Sequence, residues 1–223
     1  MNPLISSQQA YFFNHHGYIE LEEILSSDEC DEVQEHIDAA LFSRLKSSLS
    51  RIPPKELYAH GRDLWRAKEA LKALLLSKRM TALALGLSNK PSLHLACDQW
   101  IPSQTWPHSV KSKDLFSIQG LACIYFVRMT EPSESETAAA TFGLEPGLIP
   151  LPAKRGSLLA VNPNLLLNLP KLSLHEANLY AVAYALPRAV YCHNGNDPCN
   201  HELKALGYNF GDCLTHVHHP LVR

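Results

Sequence analysis

The spacing of the apolar residues changes once along this chain of 223 residues. In the first part, about residues 1–88, they recur at intervals of three and four, as on one face of an α-helix; Cys30, Val33 and Ile37 are an example. In the second part, about residues 89–223, short apolar runs are bounded by Asn, Pro and Gly, which is typical of β-strands. Helices followed by short strands predict a single α+β domain, with a sheet that closes or folds over on itself.

Shorter signals predict where single elements begin and end. Ser26 and Glu29 form a capping-box pattern at the start of a helix, which the pair Pro53–Pro54 should stop. The spacing from Leu64 to Leu75 predicts a further helix, and Gly86 should end the helical part. The predicted strands are Tyr18–Glu22, Leu93–Ile101, Ser117–Val127, Ser157–Val161, Leu179–Ala185 and Ala189–His193.

Composition argues against several classes of function. The formal net charge of −2 and the pI near 6.6 provide no basic surface for a nucleic-acid partner. The longest apolar stretches, such as Leu71–Leu76, are far too short to cross a bilayer, so no membrane partner is expected. Six cysteines without a disulfide-type spacing, in a sequence that opens with no signal-peptide pattern, predict reduced thiols and a cytoplasmic location.

The chain has twelve histidines but only one His-x-Asp pair, His36 and Asp38. On a strand, residues i and i+2 point to the same side and can bind one metal ion, whereas on a helix they diverge by roughly 200°. His36 and Asp38 lie in the helical part, so this pair offers no metal site.

Four possible zinc ligands lie close together in the C-terminal part: Cys192, His193, Cys199 and His201. Their spacing is not that of a known zinc finger, and residues 194–198 read Asn-Gly-Asn-Asp-Pro, which is typical of a turn. We favour a turn between two strands with reduced cysteines over a zinc site.

A second cluster consists of Asp212, His216, His218 and His219. If this tail is extended, His216 and His218 face the same side and could bind a divalent ion together with Asp212. The expectation that we favour is a frayed or surface-lying C-terminal segment.

Five segments of the sequence, taken together, carry a family resemblance. The stretch Phe12–Leu21, followed by Leu25–Cys30, has the form Phe…Gly-Tyr-strand-Leu-Ser…Glu. Asp98–Gln99 lies on a predicted strand, and Lys154–Val161 and Leu206–Asp212 are the remaining segments. They resemble the phytanoyl-CoA dioxygenase family of Fe(II)- and 2-oxoglutarate-dependent enzymes. The resemblance covers most of the chain and implies a double-stranded β-helix core, jelly-roll or cupin-like, with the N-terminal helices packed on it.

The resemblance also implies where iron and 2-oxoglutarate would bind, and this chain lacks most of the ligands there. His108 matches the first iron-binding His, but Val110 stands at the carboxylate position two residues on. Leu167 and Asn168 stand where the second His is implied. The Arg that holds 2-oxoglutarate is implied near residues 178–180, and no Arg or Lys lies between residues 171 and 188. We therefore predict no catalytic residue, no metal ion and no cofactor.

The function predicted from these observations is that of a non-catalytic binding or interaction protein. Its partner would be an unknown small ligand or another protein. A vestigial pocket on the fold would be lined by Gln99, Trp106, His108, Asn168 and Tyr180.

Two alternatives stay open at this point. The first is an Fe(II)-dependent oxygenase with a rearranged iron site that recruits His94, Asp98, His108 or Asp114. The second is a divalent-metal-responsive DNA-binding regulator that uses the His and Cys residues of the C-terminal third.

Overall fold

In the computed structural model, helices pack against one face of an antiparallel β-sheet, and segments that flank a short strand pair pack against the other face. None of the described helices is long and apolar enough to cross a membrane. The structure describes residues 5–103, 105, 110–132, 152, 154–167 and 177–223.

The helical part differs from the sequence prediction mainly at its helix ends. Single 3₁₀ turns occur at Leu49–Arg51, Leu64–Arg66, Ser112–Leu115 and Glu202–Leu206. The α-helices are α1 (Ser7–His16), α2 (Ser27–Leu45), α3 (Pro54–His60), α4 (Glu69–Leu75) and α5 (Lys78–Ser88).

Helix α2 begins where the capping box predicts. Ser26 Oγ accepts the Glu29 backbone N–H at 3.2 Å, and Glu29 Oε2 accepts the Ser26 N–H at 2.8 Å. The helix ends at Leu45, where Lys46 takes a left-handed conformation, so the two prolines do not stop it. Pro54 instead begins α3. Proline is suited to this position because the N–H groups of the first turn of a helix have no acceptor within the helix.

The predicted end of the helical part at Gly86 is wrong. Helix α5 continues to Ser88, and Asn89 ends it in a left-handed conformation with φ 51°. Gly86 allows close packing instead, since a Cβ there would lie 3.2 Å from the Cβ of Ile5. The single helix predicted over residues 64–75 is a 3₁₀ turn followed by α4.

The sheet has the strand order β1-β5-β4-β7-β2-β8, and β3 and β6 form a separate antiparallel pair. The prediction for β2 is confirmed at both ends. The strands are β1 (Tyr18–Leu21), β2 (Leu93–Ile101), β3 (Val110–Lys111), β4 (Ile118–Arg128), β5 (Leu158–Val161), β6 (Leu166–Leu167), β7 (Leu179–Tyr191) and β8 (Leu221–Val222).

Strand β7 joins what the sequence predicts as two strands. Pro187 interrupts the apolar pattern, but the neighbouring strand β4 adapts to it by shifting register on both sides of Leu121. Gly120 has φ 92°, and a Cβ there would lie 3.1 Å from the Cα of Ala189. Glycine therefore permits the close approach of the two strands at this irregularity.

Side chains of the sheet alternate between two hydrophobic clusters. We call the cluster that also contains residues of the helices the helix-side core, and the other cluster the inner core. A bulge between Leu95 and Cys97 reverses this alternation along β2. Leu95 before the bulge and Trp100 after it both belong to the helix-side core, while Cys97 and Ile101 belong to the inner core.

Two segments outside the main strands cover the outer edge of β2. At its C-terminal half, Trp100 N donates to Gly61 O at 2.8 Å and Asp63 N donates to Asp98 O at 3.1 Å. A Cβ on Gly61 would lie only 2.8 Å from the Cβ of Trp100, so this close approach needs glycine. At its N-terminal half, β8 pairs with β2, and the strand therefore presents no long open edge to solvent.

Candidate ligand-binding site

The β3–β6 pair brings together two segments that are far apart in the sequence. Val110 is the direct Cα partner of Leu167, and Lys111 is the partner of Leu166. Ser112 N donates to Leu165 O at 2.9 Å, which extends the pairing by one bond. The two positions where the resemblance implies metal ligands are thus neighbours. Trp106, His108 and Asn168 lie outside the described residues.

The residues at this pair do not fit an iron ion. A mononuclear non-haem iron site needs two His and one carboxylate converging on the metal. Valine at 110 and leucine at 167 carry no nitrogen, oxygen or sulfur atom in their side chains, so neither can bind a cation. In the described part of the chain, no group of three or more His, Cys, Asp or Glu residues could hold a metal ion.

A guanidinium does lie beside the position implied for the 2-oxoglutarate clamp, but on the neighbouring strand. Arg128, at the end of β4, is the direct partner of Leu179 at the start of β7. Its side chain is buried and donates to the backbone carbonyls of Thr130 at 2.9 Å and Pro152 at 3.3 Å. Sequence reasoning missed Arg128 because it followed β7 alone, whereas antiparallel pairing places a residue of β4 at the same level.

Gln99 and Tyr180 lie on opposite faces of the sheet. Tyr180 pairs with Trp100, one residue beyond Gln99, and belongs to the helix-side core, where its hydroxyl donates to Asp98 Oδ2. Gln99 accepts from Arg62 Nε at 2.7 Å on the inner side. The expectation that Gln99 and Tyr180 line one pocket therefore fails for this pair, because adjacent strand positions face opposite ways.

Arg62 and Asp197 form a buried ion pair next to Gln99. Arg62 Nη2 lies 3.1 Å from Asp197 Oδ1 and also donates to Leu115 O at 2.8 Å. The second carboxylate oxygen accepts from Ser117 Oγ at 2.8 Å. Oδ1 also accepts from the Cys199 N–H at 2.9 Å, and the second oxygen accepts from Arg62 Nη1 at 3.3 Å, so each oxygen of Asp197 has two donors. These contacts fix the turn before Cys199 against the sheet.

The interpretation of residues 192–201 as a turn agrees with their contacts, but this turn leads from β7 into the 3₁₀ turn Glu202–Leu206 and not into a second strand. Cys199 is buried and its thiol donates to Ala59 O at 3.4 Å. His193 and His201 are exposed and lie 5.5 and 5.8 Å, ring centre to ring centre, from Phe210. All six cysteines lie within the described residues, and none of them forms a disulfide.

The C-terminal tail lies at the surface at Asp212, His216 and Val217, as expected, but it is not frayed, because its end is anchored to the sheet. His219 is fully buried, and its Nδ1 lies 2.9 Å from Ala96 O, so Nδ1 carries the proton. Arg66 donates to His218 O, and Leu95 N donates to Pro220 O at 3.0 Å. Burial lowers the pKa of His219 to about 4, and the charge of Arg66 acts in the same direction.

Asp98 is a buried carboxyl on the helix side of β2. Its Oδ2 accepts from the Trp65 N–H at 3.1 Å and from the Tyr180 hydroxyl, while its Oδ1 has no partner among the described residues. Burial, and to a smaller extent the nearby Asp63, raise the pKa of Asp98 to about 7. A carboxyl placed in this way spends part of its time protonated near neutral pH.

Three of the four residues proposed for a rearranged iron site, His94, Asp98 and Asp114, are among the described residues, and these three do not form a metal-binding group. The bulge in β2 puts Asp98 among helix-side residues, whereas alternation puts His94 on the other face. His94 Nδ1 bonds to His219 O at 2.6 Å and so binds the tail. Asp114 lies in a 3₁₀ turn after β3, and its carbonyl oxygen accepts from Asn194 at 2.9 Å.

No family profile and no curated protein sequence matches the chain. Solved structures do match. The non-heme α-ketoglutarate-dependent carbocyclase SnoK from nogalamycin biosynthesis is 13% identical, with a TM-score of 0.67 over 98% of this chain and 97% of that one. The epimerase SnoN from the same biosynthesis is 14% identical, with a TM-score of 0.65 over 97% and 98%.

A third similar structure is EctD from S. alaskensis with 2-oxoglutarate and 5-hydroxyectoine. It is 15% identical, with a TM-score of 0.58 over 83% of this chain and 78% of that one. At such low identity the likeness concerns the fold. The chain thus has the α+β, jelly-roll fold of the Fe(II)/2-oxoglutarate-dependent oxygenases.

Proposed function

We propose that this chain is a non-catalytic binding or interaction protein that keeps the fold of the Fe(II)/2-oxoglutarate oxygenases without their chemistry. Within that fold we propose it as a divergent relative of the phytanoyl-CoA dioxygenases. One observation supports this most directly: Val110 and Leu167, at the implied ligand positions, are direct Cα partners in the β3–β6 pair. The frame on which a metal site could be built is present, but these two positions supply no donor atom.

The implied co-substrate site supports the same proposal. Strand β7 begins with Leu179 and carries no cation before Arg188. Arg128 on β4 has the required charge, but its guanidinium donates to the backbone carbonyls of Thr130, Glu131 and Pro152. A dicarboxylate would have to compete with these bonds, so Arg128 is better suited to anchor the chain after β4.

We propose that a small ligand or a protein segment binds in a pocket beside the β3–β6 pair. Trp106, His108 and Asn168 are the residues proposed to line it. Gln99 is buried and would act on this pocket through its hydrogen bond with Arg62. Tyr180 is not part of the proposed pocket, because it faces the helices.

We also propose that the whole chain is one folding unit in the cytoplasm. The helix-side core contains residues from α1, α2 and α5 together with residues from β2, β4 and β7, so the helices have no separate interior. A single unfolding transition, seen alike by far-UV circular dichroism and by tryptophan fluorescence, is the expected result.

Turnover of 2-oxoglutarate tests the main proposal. The purified chain is incubated with Fe(II), ascorbate and 2-oxoglutarate, and succinate is measured. We expect no more succinate than in the protein-free control, with or without added small acids. Iron-dependent succinate formation above that control would overturn the proposal.

Restoring donor atoms tests the frame itself. In the double variant Val110→Asp, Leu167→His, a carboxylate and an imidazole stand on paired residues, next to His108 in the sequence. We expect Co(II) binding, seen as visible absorption, that is absent from the wild type. The matched control is Val110→Ala, Leu167→Ala, which changes the same positions without adding donors. Equal cobalt binding by both double variants would show that β3–β6 is no metal frame.

A further inference from the structure

A groove lies at the other end of β2, where the C-terminal tail crosses the sheet. Its volume is about 1040 Å³, at the upper end of the range for small-molecule pockets. His94 is the second residue of β2, whereas Ile101, at the opposite end of the strand, precedes β3 in the sequence. The inference drawn below about this groove therefore does not depend on the function proposed for the β3–β6 pair. The residues lining the groove are His94, Pro187, Leu214, Thr215, His216, Val217, His218, Leu221 and Arg223.

The lining combines apolar surface with donors and carries no acidic side chain. Pro187, Leu214, Val217 and Leu221 supply the apolar part, and Val217 is 73% exposed. Val217 can therefore offer an apolar contact at the surface of the groove. The polar part consists of imidazoles, which can donate N–H groups, and a guanidinium, which always carries a positive charge.

The tail that forms one wall of the groove is held firmly in place. His94 Nδ1 donates to His219 O at 2.6 Å, and the buried His219 donates in turn to Ala96 O at 2.9 Å. Leu221 and Val222 pair with the first two residues of β2. The wall is therefore fixed before any ligand arrives, which reduces the ordering cost of binding.

We infer that this groove binds an organic anion with an apolar body, such as an aromatic or aliphatic carboxylate, sulfonate or phosphate ester. The apolar part would lie against Val217 and Leu221. The acidic head would accept hydrogen bonds from Arg223 and from the imidazoles of His216 and His218. The guanidinium of Arg223 and the imidazole N–H groups favour an anionic head, and none of the described residues that line the groove has a carboxylate side chain.

A pair of dyes tests this inference on the intact chain. The probe is 1-anilinonaphthalene-8-sulfonate, and the comparison is the uncharged N-phenyl-1-naphthylamine. We expect saturable fluorescence enhancement by the sulfonate at one site, with the uncharged dye binding about tenfold more weakly. No saturable binding of the sulfonate, or equal affinity for both dyes, would overturn the inference.

Variants at the exposed Val217 locate the site without disturbing the core. Val217→Asp should weaken sulfonate binding about tenfold, and Val217→Lys should strengthen it, because the two changes place opposite charges at one position of the groove. Arg223→Gln should also weaken it about tenfold. The matched control is Arg51→Gln, an exposed arginine outside the groove, which should have no effect. If Val217→Asp and Val217→Lys bind alike, the dye is bound elsewhere and the inference fails.

Discussion

Neighbouring residues of β2 enter two buried polar clusters of opposite character. On the inner side, Gln99 joins Arg62 and Asp197, and the carboxylate of Asp197 accepts hydrogen bonds at both oxygens. On the helix side, Asp98 has one oxygen with no partner among the described residues, and burial raises its pKa to about 7. A buried charge is therefore tolerated where all its hydrogen-bonding atoms have partners. A buried carboxyl that lacks a partner is destabilised in its charged form and titrates near neutral pH.

Breaking the complete cluster should have the largest effect. Asp197→Ala leaves the buried guanidinium of Arg62 without its counter-charge, and we expect a loss of about 3–5 kcal/mol in the free energy of unfolding. Urea unfolding at pH 7 measures this loss. The double variant Arg62→Met, Asp197→Ala removes both charges and should recover part of the loss. A loss below about 1 kcal/mol in the single variant would mean that the pair is not buried as described.

The sequence predicts the strand that carries these clusters but not the side that each of its residues faces. The bounds of β2 follow from its composition, and the capping box locates α2. The bulge between Leu95 and Cys97 leaves no recognisable pattern, yet it inverts which side each later residue faces. For this reason the sequence could not separate Gln99 from Tyr180, and it could not place Arg62 beside Asp197, 135 positions away along the chain.

The tail shows a second limit of sequence reasoning. Three histidines near the C-terminus suggest a polar, exposed segment. Only the tertiary partner Ala96 O makes burial of His219 possible, because it satisfies the ring N–H. Local patterns do not show the pairing of Val110 with Leu167 either; only the family resemblance, which assigns both positions to one implied metal site, suggests that they lie close together.

The incomplete cluster should reveal itself through pH. The folded-state pKa of Asp98 is raised from 3.8 to about 7, so between these values the folded protein holds a proton that the unfolded chain releases. This contribution to stability is largest below about pH 4 and is lost as the pH rises to about 7. We expect the difference in unfolding free energy between wild type and Asp98→Asn to grow by about 2–4 kcal/mol from pH 7 to pH 4. A constant difference over this range would show that Asp98 does not titrate there.

His219 should give the opposite dependence over nearly the same range. Its pKa is lowered from 6.5 to about 4, so below pH 6.5 the unfolded chain binds a proton that the folded protein excludes. The stability is complete above pH 6.5 and is lost as the pH falls to about 4. The difference between wild type and His219→Gln should therefore shrink by about 2–3 kcal/mol over this interval. In the wild type the two contributions to the pH dependence oppose each other, so the single variants are needed to separate them. If the unfolding free energies of Asp98→Asn and His219→Gln depended on pH in the same way, the assignment of opposite pKa shifts to Asp98 and His219 would be refuted.

The smallest effect is expected for a charge pair that is neither buried nor complete. Lys154 Nζ lies 2.9 Å from Glu22 Oε2, but both side chains are more than half exposed. Water screens such a pair, and holding two long side chains in one geometry costs entropy, so Glu22→Gln should leave the unfolding free energy unchanged within the error of the titration. The same urea titration as for Asp197→Ala measures it, and added salt should not create a difference. If Glu22→Gln costs as much as Asp197→Ala, then charge pairing itself, rather than burial with complete hydrogen bonding, would govern stability, and the contrast between the two faces of β2 would lose its explanation.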